Sequence, residues 1–294
     1  MKLVDPLAMI SWRRLIKDTV VSSYRNECPN AAAAMAFDFV FAIFPGILVL
    51  TILIAVFDIP LDAFSGLITG LEILLPSPMV QVVSENVNHL GQSSKGFFVL
   101  GLIGVIWPAS ASMSTTMSAL NRAYGVVEKR GFWFRRVLSI GLVVSLGVAL
   151  VILFNLIAFS EQVESWLNTN WTLSEEMPSL PGLVRRIATV AGTMFVAACI
   201  YRIAPNVRQT WLNVIPGSFL FLLLWTLIAG GFGYFVAKFS YINFVFGLLG
   251  SVIGLLLSSY LAAFILLLGG ELNGNMYMYR LHQVHSGRKN HERK

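Results

Sequence analysis

Charge is what this chain has least of. Aspartate, glutamate, lysine and arginine together make up 12% of its 294 residues, about half the share a soluble domain uses to cover its surface. Water is therefore excluded as its main solvent. Cysteine is nearly absent too: Cys28 and Cys199 stand alone, with neither metal-ligand spacing nor a disulfide framework. All four histidines (His89, His282, His285 and His291) fall outside the long apolar runs. His282 and His285 have ligand-like spacing but sit in a basic tail, which argues against a metal site. The sequence has no nucleophile elbow, Walker loop, H-E-x-x-H or paired carboxylates. No enzyme class is indicated and no cofactor is expected. The first 30 residues are amphipathic and basic, without the apolar core and small-residue cleavage site of a secretory signal.

What the chain does have is apolar length. Long, nearly uncharged runs occupy residues 31–57, 96–124, 137–160, 182–204, 212–237 and 243–270, the last open to extension as far as Tyr279. A hydrocarbon core of ~30 Å takes about 20 apolar residues as helix, because no backbone polar group can be left unpaired there. The expected fold is all-α: a polytopic membrane bundle of six transmembrane helices within residues 31–279. An amphipathic segment (1–30) precedes it and a basic tail (280–294) follows. Residues 60–92 carry short apolar runs broken by Gly70, Pro76 and Pro78. They read as two amphipathic helices at the membrane surface, either a cover for the bundle or a lid.

Lysine and arginine fill every second gap. Residues 1–30 hold five, 121–136 hold five, 202–211 hold two and the C-terminal tail holds five, against Lys95, Arg185, Arg186 and Lys238 on the other side. This positive-inside bias puts both termini in the cytoplasm. The net charge of +6 alone would suit nucleic acid, but the basic residues border apolar runs and no basic strip carries interleaved aromatics. A nucleic-acid partner is excluded on that ground, and membrane lipid is the expected contact.

The few charges near or within the runs carry the most information. Arg185 and Arg186 lie at the outer end of the fourth run; a guanidinium keeps its charge, so each must reach water, headgroups or an anion. They either snorkel to phosphates or form an anion site open to the outside. Asp38, between Phe37 and Phe39, should face inward, as a structural partner for an arginine or as a proton-coupling group. Arg202 and Glu271 share the cytoplasmic side. Asp38, Arg122, Arg202 and Glu271 are expected to form a gate of ion pairs. Pro45, Pro108 and Pro216 interrupt three runs and supply hinges or close contacts. Gly250 and Gly254 form a GxxxG pair suited to close helix packing.

Several segments resemble the YihY/BrkB family of bacterial inner-membrane proteins. They are Ala34–Phe37 leading to Ile43-Phe44-Pro45; Leu120–Gly125 with Arg130–Trp133; Tyr201–Arg208 with Trp211 and Ile215–Ser218; and Tyr241, Asn243, Phe246-Gly247 and Gly269–Asn273. The resemblance implies a six-helix protein of the bacterial plasma membrane and a role in moving lipid or other envelope anions. It adds Asn206 and Asn273 to the candidate set. Some members are labelled ribonuclease, but no nuclease constellation accompanies the resemblance here. The expectation is a transporter or flippase-like protein for an anionic or amphiphilic small molecule. A non-transporting membrane scaffold is the alternative, and self-association is open under either.

Overall fold

The computed structural model describes residues 11–56, 95–149, 180–238 and 240–291. All regular structure among them is helical: α1 (Trp12–Arg25), α2 (Cys28–Val56), α3 (Lys95–Ala123), α4 (Phe132–Ala149), α5 (Leu180–Ile203), α6 (Trp211–Lys238) and α7 (Ser240–His291). Four contain stretches long and apolar enough to cross a bilayer: Val99–Ala123, Phe132–Ala149, Trp211–Gly231 and Val252–Leu281. Shorter apolar stretches lie on α2 (Cys28–Ile43) and α5 (Ile187–Ile203). The surface helices expected over residues 60–92 lie outside the described residues.

The outward faces of these helices are apolar. Leu100, Ile103, Val144, Val148, Leu227 and Ile253 are all exposed, an arrangement costly in water and neutral against lipid tails. In lipid the helices gain little from burying such groups, so close contact must come from small residues. α7 is the element where this is clearest. It packs against α1, α2, α3 and α6, and its glycines mark the closest approaches. A Cβ on Gly269 would overlap the Tyr201 hydroxyl, one on Gly270 would strike Leu120, and one on Gly274 would strike the Ala123 carbonyl. Facing Gly269, Gly217 of α6 is held as tightly, against the Gly269 carbonyl and Asn273. Around these contacts one buried cluster joins Met117, Leu120, Leu142, Ala197, Tyr201 and Val214 from α3, α4, α5 and α6. A second joins Cys28, Ala32, Met35, Ala119, Ala263 and Leu267.

The prolines fit into the packing. Pro45 stays inside α2 and Gly104 of α3 makes room for it, since a Cβ there would lie 2.9 Å from the Pro45 Cβ. The last helix exceeds expectation. The run is expected to end at Gly270 or, extended, at Tyr279, yet α7 continues through Gly269-Gly270 to His291. Those glycines have a contact to make, and continuous burial on every side outweighs their weak helix propensity.

α1 is amphipathic in an inverted sense. Its inward face against α7 carries Leu15, Thr19, Ser22 and Ser23. Its outward face carries Trp12, Ile16, Val20 and Tyr24. The hydroxyls face inward because Asn275 of α7 donates to Thr19 Oγ1 at 3.4 Å and to Ser22 Oγ at 3.0 Å. The outward row, four residues apart and flanked by Arg13, Lys17 and Arg25, suits the headgroup boundary of a membrane.

Candidate polar site at the basic end of the bundle

Among the described residues, the buried carboxyl and carboxamide side chains gather at one end, where α1, the α3–α4 loop and the α5–α6 loop meet α7. Glu271 is fully buried inside the apolar stretch Val252–Leu281. Its carboxyl accepts from Asn26 Nδ2 at 2.8 Å (Oε1) and 3.1 Å (Oε2), and from the Cys28 thiol at 3.3 Å. Asn26 closes α1, Glu27 turns the chain at φ 58°, and Pro29 sits in the first turn of α2, where its missing N–H costs nothing. The Asn26 carbonyl accepts from Arg122 Nε at 2.9 Å. One residue at the elbow is thus clamped from both sides.

Two residues further along α7, Asn273 stitches it to α6. Its Oδ1 accepts from the Gly217 N–H at 2.8 Å and its Nδ2 donates to the Val214 carbonyl at 3.2 Å. The amide bridges backbone groups on either side of Pro216.

The two loops are joined by a second network. Asn121 Nδ2 donates to Glu128 at 2.8 Å, and Asn121 Oδ1 accepts from the Asn206 N–H at 2.6 Å. Arg130 grips Glu128 with Nε at 2.7 Å and Nη2 at 2.8 Å, and Nη2 also donates to the Ala204 carbonyl at 2.8 Å. Those hydrogen bonds from Arg130, before any other influence, hold the Glu128 carboxyl down to about 2. Beyond the junction lies a cavity of about 670 Å³ lined by Arg202, Asn206, Arg208 and Gln209 with their apolar neighbours.

The expected ion-pair gate does not form. Glu271 faces the α1–α2 elbow, whereas Arg202 turns toward α6 and stacks its guanidinium on Trp211, 4.2 Å from the ring centre. Arg122 spends its Nε on a carbonyl. Asp38 is half-buried higher on α2 and has no ion pair among the described residues. Arg136 of α4 stacks on Trp107 and donates to the Trp107 carbonyl at 3.1 Å. Arg202 and Asn206 share one cavity at the basic end, while Glu271 and Asn273 serve separate hydrogen-bond networks there. Arg185 and Arg186 lie near the start of α5, 16 residues before Arg202 in the case of Arg186, roughly 24 Å along the axis; their side chains lie outside the described ones. Asn26 and Gln209 are not singled out by sequence, and Asn121 and Arg130 enter only within the segments that carry the family resemblance. Of the first two, only Asn26, just ahead of Pro29, carries a signal, that of a helix break.

A helical bundle with lipid-compatible outer faces and four stretches long and apolar enough to cross a bilayer defines a multi-pass membrane protein. The chain belongs to the virulence factor BrkB family, whose model matches residues 20–294. It is 26% identical over 254 residues to the ribonuclease-like protein YfkH of Bacillus subtilis, covering 86% of this chain and 91% of that one. It is 25% identical over 281 residues to the UPF0761 membrane protein Bxeno_A3061 of Paraburkholderia xenovorans, covering 93% of this chain and 62% of that one. A similar protein of Ralstonia nicotianae, RSc1559, is 25% identical over 260 residues, covering 87% of this chain and 57% of that one. The chain thus spans most of YfkH but about three fifths of these UPF0761 relatives. No solved structure matches it.

Proposed function

We propose that the protein crosses the bacterial plasma membrane six times, with both termini cytoplasmic, and moves an anionic or amphiphilic envelope molecule as a transporter or flippase-like protein rather than as an enzyme. Glu271 is the observation that carries the reading: a carboxyl group sealed within an apolar stretch by donors that are formally neutral. An ionisable group in a membrane span is costly and marks a functional position. Here it latches the α1–α2 elbow to α7. A latch of amide and thiol opens at lower cost than a buried ion pair, whose separation leaves two uncompensated charges. In this reading Arg185 and Arg186 attract the anion at the outer face, Arg202 and Asn206 meet it at the cytoplasmic face, and Asn273 holds α6 beside its proline during the change. The glycine contacts between α6 and α7 favour a second reading, a rigid scaffold for an envelope complex.

Native mass spectrometry of protein extracted in mild detergent tests this, comparing wild type with the double variant Arg185→Gln/Arg186→Gln. An anionic lipid or metabolite retained by the wild type and lost from the variant supports transport. An unchanged set returns the arginines to headgroup anchoring and favours the scaffold.

A further inference from the structure

We infer that the α5–α6 loop forms a phosphate-binding site. The cavity of about 670 Å³ there is lined by two arginines and no carboxylate. Two donors on its lining residues are left over: Arg202 Nη1 and Gln209 Nε2 are each buried with no hydrogen-bond partner. Gln209 is 7% exposed, so water is a poor substitute. Unmatched buried donors are rare in folded proteins because each forfeits its hydration without return. An acceptor bound in the cavity returns it when the two nitrogens, which the protein itself covers in this structure, turn toward it.

The surroundings narrow the ligand. Trp211 covers one face of the Arg202 guanidinium and leaves its edge to a partner. Asn206 Nδ2 is engaged by the Val127 carbonyl at 3.3 Å, so the uncommitted groups are two guanidinium cations and an amide N–H. Directly after Gln209, α6 opens at Trp211, presenting the positive end of a long helix. Donors arriving from the loop, from α5 and from a helix start match an acceptor with several oxygens, and the two cations match a charge near −2. Phosphate fits both requirements better than a carboxylate does. The loop is also held in advance, by Asn121 on the Asn206 N–H and Arg130 on the Ala204 carbonyl, which lowers the ordering cost of binding. Beside the cavity Leu212 is 76% exposed, so the phosphate could come from a lipid headgroup or from solution. The site rests on its own donors and holds whether or not the protein transports.

The test uses the full chain purified in dodecyl maltoside. Inorganic phosphate is titrated calorimetrically, and retention of phosphatidic acid is compared by native mass spectrometry with diacylglycerol of the same chains. Arg208→Gln and Gln209→Met should each weaken binding by roughly tenfold, the scale of one charge-assisted or buried hydrogen bond. Gln209→Met should melt at the same temperature or higher, since it deletes an unmatched donor. Binding of both probes assigns the site to the phosphate group itself, and phosphatidic acid alone assigns it to the headgroup. Absence of both, or equal binding by both variants and wild type, overturns the site. So does a Gln209→Met protein that melts lower with binding intact, because Gln209 is then structural.

Discussion

Arg130 belongs to the α3–α4 loop and Arg202 to the last turn of α5, and Arg130 reaches to the carbonyl of Ala204, two residues past Arg202. Their surroundings differ. Arg130 is saturated at Nε and Nη2: a carboxylate takes both nitrogens and a carbonyl shares the second. Arg202 has a tryptophan face and a buried nitrogen with nothing to bond. The first arginine completes the fold. The second is held in place by the fold without being completed by it, and such a residue is where a ligand enters the reasoning.

The contrast can be broken at several points. The largest effect belongs to the saturated side. Arg130→Ala strands Glu128 and the Ala204 carbonyl together and should cost about 3 kcal/mol, read as a lowered melting temperature in detergent. Acid provides the matching experiment. Because the folded value of Glu128 is depressed from 4.5 to about 2, its contribution is complete above pH 4.5 and is lost as pH falls through about 2. Wild type should lose stability relative to Arg130→Ala across that window, and parallel pH profiles would show that the pair contributes nothing. Asn121→Ala removes the bonds to Glu128 and to the Asn206 N–H and should cost about 2 kcal/mol, while also weakening phosphate binding through a looser loop. Arg202→Gln should have the smallest effect on folding, under about 1 kcal/mol for the lost ring contact, with phosphate binding still reduced. A large loss of stability there would erase the distinction between the two arginines.

The helices were legible because apolar length is dictated by the bilayer. The runs at 96–124 and 212–237 appear as Lys95–Ala123 and Trp211–Lys238, and Glu271 was conspicuous as a charge beside an apolar run. Partnership was not legible. Whether Glu271 meets Arg202 or Asn26 depends on helix rotation and on an elbow built at Glu27, neither of which periodicity specifies. Gln209 was hidden for a simpler reason: one glutamine in a polar loop has no pattern, and only its burial distinguishes it. The last run, 243–270 and open to Tyr279, understates α7 because apolar length marks the part of a helix that lies in lipid and not where the helix itself stops.

That uninterrupted last helix has a mechanical consequence. Its 52 residues amount to roughly 78 Å of rod, well beyond the ~45 Å of a whole bilayer with its headgroups. The glycines at 269, 270 and 274 are its fulcrum, gripped by three other helices, and the 17 residues from Asn275 to His291 form an oar of roughly 26 Å. A rotation of α7 too slight to disturb its packing at the fulcrum becomes a broad sweep at the blade.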